Sequence, residues 1–401
     1  MEIKVYRPNQ IGGCITEITS KVGTKILIDI GSELPGIERE PINIGEITKG
    51  CEGVFVTHYH GDHVGEYRNV HSEVDIYMGK TAKQIFSVLQ KRLSKSKKTG
   101  VNPEDIARVE KIKTFTHGEV IKIKDITITP IRTNHSAFDS YMFLISDGEK
   151  RVLHTGDFRE QGIEGEHYFA HIKDYNGMLD AILIEGTMLS RTSEKDNTEE
   201  QLSIEAERLI RNSKFVFILC SSTNLDRISA FYRANKNVGD KLFITDDYQK
   251  SILDVVSENS KDFESLFDFS ESIAFDKNVN FDSMLSKGFC MLLRCNRFSE
   301  KFIRSKKFQN DRLFIYSMWK GYLEGAARNE NLAKLVPDDY VYLHTSGHAT
   351  EETICKVCNS LNVPIILPIH SDCIERFQAL RSEGKINGDV QRLESGISIK
   401  L

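Results

Sequence analysis

Long apolar runs are missing from this chain. No stretch approaches the roughly 20 apolar residues that cross a bilayer. The longest runs, Phe215–Cys220 and Val363–Ile369, are strand-sized. The N-terminus, Met1-Glu2-Ile3-Lys4, lacks the apolar segment of a secretory signal. Cysteine is sparse, with 8 in 401 residues spread from Cys14 to Cys373. That density excludes a disulfide scaffold and reads as free thiols in a reducing, cytoplasmic setting. Tryptophan occurs once, at Trp319, and reads as core more readily than as a stacking platform. A basic excess is missing too: 53 Lys+Arg face 58 Asp+Glu, a net charge of −5. This excludes a chain coated in cations, though not a basic groove on an acidic protein. With 40% apolar and 28% charged residues, collagen, coiled coil and a wholly disordered chain are excluded as well.

At about 150 residues per domain, the length predicts two or three domains, each able to bury a core. Period-two alternation predicts strands over Ile3–Arg7, Cys14–Ile18 and Lys25–Ile30, and short runs add Glu52–Thr57, Val120–Thr129, Tyr141–Ser146, Arg151–His154 and Ala181–Glu185. Helical spacing covers Thr81–Ser94. The polar stretch Ser190–Gln201 predicts a domain crossing. Beyond it, helices over Thr198–Asn212, Leu225–Ala234 and Tyr248–Glu258 alternate with strands over Phe215–Cys220 and Lys241–Thr245. That rhythm predicts a parallel sheet flanked by helices, running to about Val336. A strand (Tyr340–His344), a helix (Glu351–Leu361), a strand (Ile365–Ile369) and a helix (Ile374–Ser382) follow.

The strongest local signal is Thr57-His58-Tyr59-His60-Gly61-Asp62-His63. Residues i and i+2 of an extended chain point the same way, so His58 and His60 can aim at one point. After the turn, Asp62 and His63 can face a second. Imidazole and carboxylate suit Zn²⁺ and similar ions. His135, Asp157 and His370 each follow a predicted strand at its C-terminal end. Alone, each is more often a satisfied structural polar residue; together, after the first motif, they read as the remaining donors.

With Gly12-Gly13-Cys14, Leu27-Ile28-Asp29-Ile30-Gly31, Glu185 in Ile184-Glu185-Gly186-Thr187, and His348 in Thr345-Ser346-Gly347-His348-Ala349, these motifs make the chain resemble the metallo-β-lactamase fold superfamily. Within it the chain resembles the β-CASP nucleases, the group of ribonuclease J, from about Ile11 to His370. The resemblance implies an α/β fold: an αββα sandwich formed by residues 1–190 and 337–401, with a β-CASP domain, 191–336, inserted as a parallel sheet with flanking helices. It implies two divalent ions, Zn or alternatively Mn, one on His58, His60 and His135, the other on Asp62, His63 and His370, with Asp157 shared. The implied activity is a ribonuclease that hydrolyses phosphodiester bonds with hydroxide activated by the two metals. Asp62 and Asp157 act at the metals, His348 is the general acid, and Glu185 holds its ring. The implied partner is single-stranded RNA, with DNA as the alternative and no membrane. The inserted block argues against a small-ester or lactone hydrolase, and the complete donor set against a non-catalytic RNA-binding subunit. The sequence ends at Leu401, short of the extra C-terminal domain of ribonuclease J, so oligomerisation through such a domain is not expected.

Substrate contacts are sought in two turns. Ser346-Gly347 leads towards the helix near Glu351, whose amides suit a phosphate. Ser222, Asn224 and Arg227 lie in a stretch that resembles the Ser-Ser-Asn-x-x-Arg segment which ribonuclease J-like enzymes place near RNA; an ordinary loop with an Asn cap is the alternative. The basic run Lys91–Lys98 reads as a solvated helix end or as a phosphate-steering patch. Arg294–Arg312 interleaves cations with Phe298, Phe302 and Phe308, for strand stacking or, more commonly, core packing. Cys355-x-x-Cys358 lies in a predicted helix and is not expected to bind metal. His117, His167 and His171 are expected to be structural or on the surface.

Overall fold

The computed structural model describes all residues except 35–41, 164, 192–196, 240, 261–263, 276–278 and 326. Within the expected domain crossing, residues 192–196 therefore lie outside the described residues. The chain divides into two units, Met1–Glu194 with Gly347–Leu401, and Lys195–Ser346.

The first unit holds two mixed seven-stranded sheets. One runs in the order Ser398–Lys400, Glu2–Tyr6, Ile15–Thr19, Lys25–Ile28, Gly53–Phe55, Ile76–Gly79, Lys113–Phe115. Its last four strands are mutually parallel. The other runs Asp389–Val390, Ile365–Ile369, Ala181–Glu185, Arg151–His154, Ser140–Ser146, Ile126–Thr133, Ile121–Ile123. Alternate side chains of a strand go to opposite faces, and Ala181–Glu185 is apolar on both. Ala181 and Leu183 join Ile28, Phe55 and Phe143 in the core between the sheets. Ile182 and Ile184 pack instead beneath Ile354, Val357 and Phe377, on the helices Glu351–Leu361 and Ile374–Ser382. Burial on both faces explains why this strand reads as one apolar run instead of an alternation.

The strand expected over Val120–Thr129 is a hairpin, Ile121–Ile123 paired with Ile126–Thr133. Lys124, at φ 54°, makes the turn.

The second unit is an α/β layer built on a parallel six-stranded sheet, ordered Ser272–Ala274, Leu242–Thr245, Phe289–Leu293, Phe215–Cys220, Arg312–Ser317, Val341–Tyr342. On sequence alone this block ends near Val336. Here it continues, because Val341–Tyr342 pairs with Arg312–Ser317. Phe302 and Phe308 stack with ring centroids 5.7 Å apart and belong to the hydrophobic core of this unit, which is the packing reading of the Arg294–Arg312 stretch. No helix among the described residues is long and apolar enough to cross a membrane.

Candidate metal centre

The strands Lys25–Ile28 and Gly53–Phe55 run parallel, as do Arg151–His154, Ala181–Glu185 and Ile365–Ile369. The segment just past each C-terminal end carries, in turn, Asp29, the His58–His63 turn, Asp157, Glu185 (the last strand residue itself) and His370. His135 follows the end of Ile126–Thr133. Loops beyond carboxyl strand ends are where open α/β sheets gather ligands. Two glycines allow the loops to close on each other. A Cβ on Gly31 would lie 1.6 Å from the Asp62 carbonyl oxygen. Gly156, at φ +52°, would put one 2.8 Å from the Thr57 side chain.

Donor atoms of His58, His60 and His135 lie within 4.8 Å of one another, as do those of Asp62, His63 and His370, of His58, His63 and Asp157, and of Asp157, Glu185, His348 and His370. The first group is the tightest. His60 Nδ1 is 3.1 Å from His58 Nε2 and 3.3 Å from His135 Nε2. Two nitrogens at about 2.0–2.1 Å from a tetrahedral ion are about 3.3 Å apart, so the spacing fits a cation.

Neighbours fix which nitrogens face inward. Thr57 Oγ1 donates its one proton to Asp29 Oδ2 at 2.9 Å, so it accepts from His58 Nδ1 at 3.0 Å, and His58 Nε2 carries the inward lone pair. His135 Nδ1 donates to the Gly347 carbonyl at 2.6 Å. His63 Nδ1 donates to Asp29 Oδ2 at 2.8 Å, leaving Nε2 3.2 Å from Asp157 Oδ2. His370 is held differently: Nε2 accepts the Gly12 N–H at 3.0 Å and Nδ1 meets Thr187 Oγ1 at 2.9 Å, so an ion at Nε2 would take the place of the Gly12 contact. Such outer partners orient metal-binding rings. Asp29, Thr57 and Thr187 stand inside the motifs Leu27–Gly31, Thr57–His63 and Ile184–Thr187, but the sequence alone assigns them none of these roles.

Asp157 is central. It is 2% exposed, and its Oδ2 lies 3.9 Å from His58 Nε2, 3.8 Å from His135 Nε2 and 3.6 Å from His348 Nδ1. Asp157 Oδ1 and His63 Nε2 are buried without a hydrogen-bond partner among the described residues, a cost that a bound cation would remove. Burial holds His58 and His135 well below the ordinary imidazole range, and takes His60 down to about 4. Burial alone would lower His63 as well, but Asp157, Asp29 and Asp62 carry it well above that range. For Asp157, burial is outweighed by His370, His63 and His348, which hold the carboxyl well below its usual range. His63 and His370 do the same for Asp62 against its own burial.

Glu185 is fully buried and accepts from the backbone N–H groups of Phe158, Ala349 and Thr187. Its Oε2 is 3.1 Å from His348 Nδ1. Burial would lower His348, yet Glu185 and Asp157 raise it. His60, Asp62 and His348 are the partly exposed members of the cluster.

The expected substrate contacts are placed otherwise. Arg227 is fully buried, and its guanidinium is spent on Glu199 at 2.8 and 3.1 Å, Ser317 Oγ at 2.6 Å and the Thr345 carbonyl at 2.9 Å. It is corrected from a phosphate contact to a structural cation. Asn224 caps the helix Leu225–Val238 by accepting from Arg227 N, and the Ser222 carbonyl accepts from Gln249; neither reading as a phosphate contact gains a feature here. Ser346 is buried, and Gly347 turns its carbonyl to His135. Thr350, not this turn, caps the helix Glu351–Leu361. Cys355 and Cys358 are free thiols on that helix, the buried Cys358 pushed up to about 12 by burial. His117, His167 and His171 form a separate cluster, with ring centroids 4.7 and 5.2 Å apart. His117 Nδ1 accepts the Arg132 N–H, so the proton of its neutral ring sits on Nε2.

A family profile, that of the anti-Pycsar protein Apyc1, matches residues 16–174, less than half of the chain. Ribonuclease J of Mycoplasma genitalium is 25% identical over 139 residues, covering 35% of this chain and 22% of that protein. Ribonuclease J of Synechocystis sp. is 24% identical over 168 residues, covering 39% and 24%. The matched region thus spans about a quarter of the length of these curated relatives. A protein of unknown function from Enterococcus faecalis V583 shares the fold, with a TM-score of 0.73 at 18% identity over 100% of this chain and 99% of that one. The chain is a distant relative of ribonuclease J over part of its length, and its buried His/Asp/Glu clusters could hold metal ions.

Proposed function

We propose that this chain is a dinuclear metal-dependent phosphodiesterase of the metallo-β-lactamase fold, a β-CASP-type ribonuclease acting on single-stranded RNA. The observation that carries the reading is the convergence of six donors on Asp157, with His60 Nδ1 spaced from the nitrogens of His58 and His135 as two ligands of a tetrahedral ion are. Two sheets sharing a core, with helices packed on the second, support the αββα sandwich; the parallel sheet of the second unit supports the β-CASP insert. The partial match to ribonuclease J supports RNA.

In this reading His58, His60 and His135 hold one ion, Asp62, His63 and His370 the other, and Asp157 serves both. Divalent ions held there, Zn²⁺ or Mn²⁺, would supply Lewis acidity towards a phosphoryl oxygen and towards water. The protein's own part is positioning and proton supply. Asp29 and Thr57 lock His58 and His63, so their inward nitrogens need no reorganisation. Glu185, fixed by three backbone donors, turns His348 and favours its charged form. His348 then gives the proton on Nε2 to the departing 3′-oxygen.

The test is a product ladder. Metal-loaded protein is incubated with 5′-labelled and internally labelled RNA and DNA oligonucleotides, beside a chromogenic ester and a lactone. RNA cleavage is expected. Asp157→Ala is expected to lose bound metal and to cut at least about 100-fold more slowly. Full metal stoichiometry in that variant, or turnover of the ester or lactone with nucleic acids intact, would displace the reading.

A further inference from the structure

The basic run Lys91–Lys98 is not explained by the metal centre. Five cations stand in eight residues with no acid among them, in a chain of net charge −5, and all five are exposed. The helix Lys80–Leu93 accounts for two: Lys91 and Arg92 sit in its last turn, against the partial negative charge of its C-terminus. That field fades within the turn, so it gives no reason for Lys95, Lys97 and Lys98. Pairing gives none either. Lys91 reaches Glu110 at 3.0 Å, but among the described residues no ion pair joins Arg92, Lys95, Lys97 or Lys98 to an acid.

The run is also built. Amides of Ser94, Lys95 and Ser96 donate to carbonyls of Gln90, Arg92 and Leu93. Thr99 Oγ1 lies 2.7 Å from the carbonyl oxygens of both Leu93 and Ser96 and shares its one proton between them. Both ends are tied to the segment that follows the turn of Asp62 and His63. Tyr67 donates to Gln90 Oε1 at 3.1 Å and packs edge-on against Phe86, and Arg68 donates to the Gly100 carbonyl at 3.1 Å. Tyr67 is four residues past His63, at most about 14 Å of chain.

We propose that Arg92, Lys95, Lys97 and Lys98 form a docking strip for the phosphodiester backbone of a nucleic acid, several nucleotides away from the bond at the metal centre. The inference rests on the proposed function for what is cut and adds what holds the rest of the strand. Phosphates match the strip because their recognition needs only mobile cations in a row and no base pocket. A membrane surface would call for large apolar side chains beside the cations, and the run itself offers only Leu93, 40% exposed.

The test compares the unmodified protein with R92Q/K95Q/K97Q/K98Q and with the charge-keeping K95R/K97R/K98R. Binding of a fluorescein-labelled oligouridylate of about 20 nucleotides is followed by anisotropy across a salt series. Each phosphate contact of a single strand contributes about 0.7 to the slope of log K against log salt, so the glutamine variant is expected to flatten it by about 2 to 3 and to bind at least about tenfold more weakly at low salt. The arginine variant is expected to keep the slope. Equal slopes for all three proteins overturn the strip. Loss of binding to anionic phosphatidylserine vesicles in the glutamine variant, with nucleic-acid slopes unchanged, would overturn it in favour of a lipid surface. Hydrolysis of bis(p-nitrophenyl) phosphate by the unmodified protein is read separately: its failure removes the phosphodiesterase reading, while the slopes still decide the strip.

Discussion

Asp29 presents no atom to the proposed ions, yet it sets two of the rings that would hold them, His63 directly and His58 through Thr57. It also helps lift His63 above the ordinary imidazole range. The sign of the consequence is fixed. Below that raised value His63 carries a proton that an incoming cation must expel, so affinity at Asp62, His63 and His370 should rise about tenfold per pH unit until the raised value is passed. His58, His60 and His135 are lowered, His60 to about 4, so uptake there should be flat from about pH 5 to 8. Metal titrations across pH, with proton release read in two buffers, would show two classes of uptake; a single slope for both would contradict this. Asp29→Asn should weaken the pH-dependent class by about 10–100-fold and flatten its pH response. His348→Gln should slow cleavage by about 10²–10⁴-fold with metal retained. His348 acts protonated, and its value is raised, so activity falls as pH climbs through it; in the glutamine variant that alkaline limb of kcat/KM should vanish. The donors that meet were legible because His is scarce and because each stands where a strand ends. Asp29, Thr57 and Thr187 were not, since Asp and Thr are common and their partners are distant in sequence.

Among the elements, helices announced by caps were legible. Glu199–Arg211 opens on a Thr198/Gln201 capping box and was expected within a residue. Pro103–Lys111 opens on an equally clear Asn102/Asp105 box with proline in its first turn, but its apolar stripe is too narrow to stand out. The strands Phe289–Leu293 and Arg312–Ser317 went unread because they flank a basic, aromatic segment that draws attention to its charge. At Arg227 an arginine at a helix start reads as an anion contact, and burial against Glu199 decides otherwise. Arg227→Ala would strand that carboxylate, a loss of about 3–5 kcal/mol for a broken buried pair. Urea unfolding should register the loss while metal content stays constant; an unchanged midpoint would show the pair to be dispensable.

For the whole molecule, the α/β class followed from the alternation of strands and helices. What pattern alone did not reveal is how far the second block runs, because a two-residue strand at Val341–Tyr342 carries no signal of its own. Cations held by the folded donor cluster, as proposed, would favour the folded chain, so stripping them should lower Tm. Restoring metal at 100 times Kd is worth about 2.7 kcal/mol for one site, and calorimetry with and without chelator would measure it; no shift would argue that the cluster holds no ion. The first unit is stitched from two distant lengths of chain, and this has a consequence during synthesis. The strand Ile365–Ile369 enters beside Ala181–Glu185, and it is made, with His348 and His370, after the other donors of the cluster. In the proposed reading, a nascent copy that stops short of His348 has the early donors in hand but neither its proton donor nor its last donor ring, so it would stay inert towards RNA until the second length of chain arrives.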